Sequence, residues 1–291
     1  MEVKEEKFRI RTYECRVDGR IKIFSLMQYL QEIAALHAEQ LGLGFDSLSE
    51  MNGYWVLSNI RIEISRLPGR EDEVTLRTWP SGYTRTIATR EFVGKDQNGS
   101  ELFRAGSEWM VLNKQTNRLK NLSLCRGHPA RDSRAGRPRH LFRLDLNLPK
   151  TGVKALPDEL NRLEPNGDYR EVDVVCVPCS SIDLNGHVNN TEYVRWGIDA
   201  LSRTFKLNEN IRCVQATYLS EVFEGDELDL LVSVAGILPA CRRRYSISGI
   251  PSISSRQAQA AIRGRDALDT FSVLGRKSGT ETNVFLMEVS C

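Results

Sequence analysis

Residues 183–193 read Asp-Leu-Asn-Gly-His-Val-Asn-Asn-Thr-Glu-Tyr, and no other stretch of the chain is so dense in groups that can do chemistry. Asp183, Asn185 and His187 alternate along it, just ahead of a helical pattern running from about Thr191 to Phe205. Asn189 and Glu192 stand as cap and third-position partner for that helix. A carboxylate, a carboxamide and an imidazole held together supply what attack on a carbonyl needs: a base, an orienting group and donors for the developing oxyanion. The same residues would also make a polar loop with an ordinary cap, so the short pattern alone decides nothing. The pattern around it does.

Working outward, the chain states one plan twice. In the first half a strand, Phe8 to Arg11, leads through Cys15–Lys22 to a helix expected from Leu26 to Leu41. Ser25 and Gln28 have the spacing of a capping box, and Gly42 stands where a helix-ending glycine belongs. Leu26, Leu30, Ile33, Ala34, His37 and Leu41 fall on one helical face, which makes His37 a core or pocket-wall residue. Strand patterns follow at Trp55–Ser65, Glu73–Trp79, Ile87–Lys95 and Leu102–Asn113, separated by turn signals such as Pro68-Gly69 and Asn98-Gly99. The second half repeats this: a strand from Tyr169 to Val177, the polar motif, the helix, then strands at Ile211–Leu219, Glu227–Val234 and Asn283–Val289. One long helix followed by an antiparallel meander is an α+β unit in which the sheet can wrap the helix.

Overlaying the halves by residue type sets Asp18-x-Arg20-x-Lys22 over Asp183-x-Asn185-x-His187. It sets Leu67-Pro68-Gly69 over Phe223-Glu224-Gly225, with Ser65 opposite Glu221. On that overlay only the second copy keeps the polar set, so one half holds the chemistry and the other is kept for shape. The expected domains are 1–120 and 166–291, joined by a linker at 121–165 whose Arg126–Arg143 stretch is rich in Arg, Pro and Gly. Residues 237–269, rich in Ser, Ala and Arg, break the plan and read as an irregular insertion or a disturbed sequence.

Bulk properties narrow the class. A chain of 291 residues, 41 % hydrophobic and 27 % charged, has the composition of a soluble globular protein large enough for two cores. A net charge of +2 does not mark a dedicated nucleic-acid binder. No apolar run approaches the length of a membrane span, and the opening Met1–Lys7 has no apolar core of a signal peptide, so a cytoplasmic setting is expected. Seven scattered cysteines read as reduced thiols. Cys176-Val-Pro-Cys179 has no second pair at zinc-site spacing, so it reads as two buried or half-buried thiols, and no metal is expected.

Taken together, the tandem helix-plus-sheet units and the D-x-N-x-H-x-N-N-x-x-Y entry into the second helix resemble the plant and bacterial acyl-acyl-carrier-protein thioesterases. The resemblance runs from about Phe8 to Val234 and resumes at Gly275–Gly279. It implies two tandem hotdog domains and a thiolester hydrolase of fatty acid biosynthesis that needs no cofactor. Its partner would be an acyl carrier protein bearing a phosphopantetheine-linked chain, with no nucleic acid; a homodimer is compatible with it. The family's catalytic aspartate, asparagine and histidine would fall on Asp183, Asn185 and His187, and its glutamate, on the strand after the helix, on Glu221. The plant enzymes carry a cysteine right after that glutamate; here the residue is Val222, so no thiolate acts there. A carboxylate-assisted water fits this departure, with Glu221 as base and Asp183 as the alternative. His187 would donate to the departing thiolate or hold the carbonyl. Backbone N–H groups near Asn189 and Asn190 would receive the oxyanion. The family's acyl chain lies in its first domain, which makes Met27, Leu30, Met51 and Trp55 expected pocket walls, though ordinary core packing explains them as well. The rival readings are an acyl-CoA thioesterase of the same fold, a hydratase or dehydratase of that fold, and a non-enzymatic acyl-thioester sensor.

Overall fold

The buried stripe Leu26, Leu30, Ile33, Ala34 and His37 lies on helix α1 (Ile23–Gln40). The helix starts three residues ahead of the expected Leu26. Ser25 therefore sits inside its first turn, buried, and the expected Ser25–Gln28 capping box does not form. The C-terminal end follows the sequence signal closely. Gly42 takes φ +71°, its N–H donates to Glu39 O (2.9 Å), and Leu43 N–H donates to Ala38 O (2.8 Å). This is a Schellman ending, which only glycine adopts without strain.

The computed structural model describes residues 3–122, 154–156, 160–205, 207, 210–235 and 270–291. The irregular insertion expected at 237–269 and the linker stretch 126–143 lie outside the described residues. Two compact units emerge. Unit 1 holds residues 1–21, 26–58 and 68–159; unit 2 holds 22–25, 59–67 and 160–291.

In unit 1 the strands are β1 (Lys4–Arg9), the 53–58 part of β2 (Gly53–Ile64), β3 (Glu73–Tyr83), β4 (Ala88–Lys95) and β5 (Glu101–Asn113), in the order β1-β3-β4-β5-β2. Alternation sorts β4 cleanly: Ala88, Arg90 and Phe92 share one face, and Glu91 takes the other. A short helix unforeseen from the sequence, α2 (Phe45–Glu50), buries Leu48 against Leu43, Ala88, Val111 and Leu122. Met51 and Trp55 pack on the same cluster, whereas Met27 and Leu30 belong to the α1 core face. Residues 154–156 close over the opposite face, where Ala155 N–H donates to the buried Glu91 carboxylate (3.0 Å).

Unit 2 contains β6 (Arg170–Cys176), α3 (Asn190–Phe205), β7 (Cys213–Tyr218), β8 (Glu227–Ala235), β9 (Thr270–Lys277) and β10 (Asn283–Ser290). Their order is β7-β10-β9-β8-β6, and residues 59–63 pair antiparallel with β7. Helix α3 buries Tyr193, Val194, Trp196, Ala200, Leu201 and Phe205. Each unit also sets a phenylalanine opposite a cross-strand glycine: Phe103 against Gly94 and Phe285 against Gly275. A methyl group at either glycine would come within 2.2 or 2.1 Å of the ring. The flat rings thus occupy space that only glycine leaves open. Cys176 and Cys179 prove to be exposed, not buried, because β6 ends its sheet and Cys176 falls on the strand's outward phase.

Candidate active site

The motif folds into a tight loop before α3. Asp183 and His187 close it: Asp183 N–H donates to His187 O (2.8 Å), and Gly186 N–H donates to Asp183 O (3.0 Å). Gly186 takes φ +82°, a conformation that costs other residues about 1 kcal/mol or more. The Asp183 side chain completes the turn. Its Oδ1 accepts from the Asn185 N–H (2.8 Å) and the His187 N–H (3.4 Å). Asp183 thus shapes the backbone that presents its two neighbours, in the manner of an Asx-turn.

A second segment brings in the glutamate. Glu221 lies not on a strand, as expected, but in the turn after β7, which ends at Tyr218. Val188 N–H donates to Val222 O (3.0 Å), fastening the loop to this turn. The His187 Nε2 then stands 3.7 Å from Glu221 Oε2, both side chains about one-fifth exposed. Phe223 packs edge-on against the imidazole, with centroids 5.1 Å apart. Val222 is wholly buried, so position 222 points into the interior and away from this pair. Asp226 ties the turn off by accepting from Phe223 N–H (3.0 Å) and Lys277 Nζ (2.8 Å). Burial would raise its pKa, but those two bonds and the lysine charge outweigh it and hold the carboxyl below the usual range.

The helix start forms the floor. Asn189 caps α3 as expected, its Oδ1 accepting from Thr191 N–H (3.0 Å) and Thr191 Oγ1 (2.8 Å). Glu192 does not reach back to complete a capping box; it accepts from Ser181 Oγ (2.9 Å) and pairs with Arg195. The Asn189 N–H donates to Ser181 O (2.8 Å), so it is already engaged and cannot serve an oxyanion. That expectation now rests on Asn190 alone. Tyr218, half-buried at the end of β7, donates to Asn190 O (3.0 Å) from below. Tyr193, the last residue of the motif, packs on Tyr218, Trp196 and Phe285. Burial first, then the charges of Asp183, Glu221 and Asp226, hold its phenol well above its ordinary pKa.

Asp183, Asn185, His187 and Glu221 are thus brought together in unit 2. Met27, Leu30, Met51 and Trp55 lie in unit 1, in the two packing groups already described. Ser181, Phe223 and Tyr218 support the site and were not singled out in the sequence. Their roles come from tertiary contacts, and only the Ser181–Glu192 pair leaves a local signal.

The first unit holds the same loop without the same side chains. Arg16 N–H donates to Arg20 O (2.8 Å), Gly19 N–H to Arg16 O (3.0 Å), and Ile21 N–H to Pro68 O (2.9 Å). Gly19 takes φ +77°. Each bond has its counterpart in unit 2, and this fixes Arg16 with Asp183, Asp18 with Asn185, Arg20 with His187 and Leu67 with Glu221. The overlay expected from residue type, which matched Lys22 with His187 and Ser65 with Glu221, is therefore two residues out of register.

Comparison with known proteins agrees with this architecture. Residues 2–123 match the family model described as the acyl-ACP thioesterase N-terminal domain, and residues 168–263 match that of the acyl-ACP thioesterase C-terminal domain. The chain is 26 % identical over 243 residues to the chloroplastic oleoyl-acyl carrier protein thioesterase of Coriandrum sativum, covering 79 % of this chain and 62 % of that protein. It is 27 % identical over 241 residues to the chloroplastic palmitoyl-acyl carrier protein thioesterase of Arabidopsis thaliana, covering 80 % and 56 %. The chain therefore spans about three fifths of the length of these curated relatives. Among solved structures, an acyl-ACP thioesterase from Bacteroides thetaiotaomicron shares the fold with a TM-score of 0.73 at 22 % identity, over 99 % of this chain and 97 % of that one. The 12:0-ACP thioesterase from Umbellularia californica gives 0.71 at 21 %, over 99 % and 93 %. With both halves matched in order by the two family models, the chain belongs to the acyl-ACP thioesterase family.

Proposed function

We propose that the protein hydrolyses fatty acyl thioesters carried on acyl carrier protein, releasing the free fatty acid and the carrier thiol. The observation that carries this reading is the His187–Glu221 pair, 3.7 Å apart, held against a loop that Asp183 shapes. In this reading a water stands between Glu221 and the thioester carbonyl. Glu221 accepts one of its protons as the oxygen attacks the carbonyl carbon. Asn185 Oδ1 is enclosed and meets no donor among the described residues, so it is placed to accept the water's second O–H. The Asn190 N–H, at the positive end of α3, receives the oxyanion. Collapse breaks the carbon–sulfur bond, and a proton delivered through His187 leaves with the thiolate. The site residues all come from unit 2.

Free-thiol release from acyl-carrier protein and from acyl-CoA, across chain lengths, tests this directly. The expected result is release from both in low salt, with the carrier-protein reaction lost first as salt rises, since an acidic carrier is drawn by charge. Consumption of an enoyl or hydroxyacyl thioester without thiol release would overturn the hydrolase reading.

A further inference from the structure

Tyr218 ends β7, and the proposed reaction gives it no task. It lies just ahead of Glu221 in the chain, and the run between them is pinned: Leu219 N–H and Ser220 N–H both donate to Val284 O (2.8 and 3.2 Å). From the strand end its O–H crosses to α3 and donates to Asn190 O (3.0 Å). Asn190 is the first residue of that helix. The phenol ring is wedged in place. Tyr193 packs edge-on against it, with centroids 5.6 Å apart, and Phe285 is its neighbour across the ladder to β10. Burial, then Tyr193, pushes the phenol above its ordinary pKa, so at neutral pH the group is a donor.

The residue it holds carries the N–H on which the oxyanion depends. Asn189 N–H is spent on Ser181 O (2.8 Å) and Thr191 N–H on Asn189 Oδ1 (3.0 Å), whereas the Asn190 N–H meets no acceptor among the described residues. Asn189 is thus fixed on one side of that N–H, and Tyr218 fixes Asn190 on the other. An oxyanion donor is effective when it is aimed beforehand at the place where charge develops, because nothing then has to reorient during the reaction.

The first copy of the plan supplies a control. The backbone bonds that match Leu67 with Glu221 and Arg20 with His187 also match Ile64 with Tyr218 and Ile23 with Asn190. Ile64 ends β2 and Ile23 begins α1, as Tyr218 ends β7 and Asn190 begins α3. That strand end and that helix start therefore form without a hydroxyl. Isoleucine has none to offer, so the bond belongs to the copy that carries the Asp, Asn, His and Glu set, and the fold does not demand it.

We propose that Tyr218 is a positioning residue, which through its bond to Asn190 O holds the Asn190 N–H on the oxyanion while the same strand end leads into Glu221. The assignment rests on the hydrolase reading. Tyr218 keeps its own proton throughout.

The test uses the full chain with lauroyl-acyl-carrier protein. Tyr218→Phe removes the hydroxyl and keeps the ring. Its kcat should fall about tenfold, short of the roughly 10²–10³-fold that losing an oxyanion donor outright costs, with KM within about twofold of wild type. Two inhibitors give a readout that a merely structural loss would not split. An undecyl trifluoromethyl ketone, hydrated in the site, presents the tetrahedral oxygen, whereas the matching dodecyl thioether of pantetheine has no carbonyl. The ketone should bind Tyr218→Phe about tenfold more weakly than wild type, and the thioether should bind both alike. 4-Aminophenylalanine at position 218, which still donates, should restore kcat to within about threefold of wild type. Turnover by Tyr218→Phe at the wild-type rate, or equal weakening of both inhibitors, overturns the assignment. Should Tyr218→Phe not fold, 4-fluorophenylalanine at position 218 fills the hydroxyl's space without donating, and a kcat equal to that of the 4-aminophenylalanine variant overturns it instead. Absence of thiol release by the wild-type protein would sink the hydrolase reading and this assignment with it. Release by a wild type that Tyr218→Phe equals sinks the assignment alone.

Discussion

The His187 imidazole and the Glu221 carboxylate lie 3.7 Å apart although 34 positions separate them in the chain, and a single backbone bond, Val188 to Val222, sets that spacing. Two short turns, clipped together, bring this pair into register above the start of α3.

His187→Ala and Glu221→Ala should each lower kcat by about 10²-fold or more, the usual scale for a positioned acid–base group. Melting temperatures should stay close to wild type, since neither side chain is buried. Near-normal turnover in Glu221→Ala would show that Asp183 is the base.

Asp183 has a second duty, visible in the two N–H groups it accepts. Asp183→Asn keeps an acceptor for the turn but removes the charge; Asp183→Ala removes both. The alanine variant should therefore show lower stability than the asparagine variant, by about 1 kcal/mol. Equal stability in chemical denaturation would mean that the turn does not depend on the carboxylate.

Arg20→Ala, at the place in unit 1 that matches His187, should leave kcat within about threefold of wild type, far from the 10²-fold scale of a catalytic group. A fall approaching that of His187→Ala would mean that the first loop also takes part in the reaction.

These counterparts were not legible in the sequence, and the reason is physical. Asp18 was matched with Asp183 because they are the same residue. Backbone geometry instead follows the left-handed glycines, Gly19 and Gly186, which are the least replaceable atoms of the loop. The strands and the two long helices were legible because their apolar phases run for many residues. Helix α2 was not, since six residues burying only Leu48 leave no period to read. Glu221 was expected on a strand because the family resemblance places its glutamate there, and only the hydrogen bonds of the 219–226 turn show otherwise. Asp183, Asn185 and His187 stood out because the three groups alternate within five positions, whereas Glu221 came only from the family resemblance. Which N–H was already spent, that of Asn189, depends on Ser181 and leaves no trace in spacing.

Gly94→Ala and Gly275→Ala each force a methyl group into a buried aromatic ring, and each should cost about 1–3 kcal/mol, as overpacked cores do. Denaturant midpoints measure this, and residual activity per folded molecule should be unchanged. A neutral effect at either site would mean that the ring moves aside freely.

His37 predicts a pH dependence of stability. Its folded pKa is depressed to about 4 from the usual 6.5, with Arg90 and Lys4 the charged groups that face it. The unfolded chain therefore binds the proton more readily. The contribution is fully present above about 6.5 and is lost as pH falls towards 4. Between pH 7 and 4.5 the melting temperature should fall further in wild type than in His37→Gln. Identical falls would remove His37 as the cause.

The loop of unit 1 repeats three backbone bonds of its counterpart, while its side chains are Arg16, Asp18, Arg20 and Leu67. Scaffold and chemistry are therefore separable properties of this motif. The fold builds this turn whether or not it carries the Asp, Asn, His and Glu set of unit 2. Substituting those side chains in unit 2 should therefore change what the loop can do without unmaking its backbone.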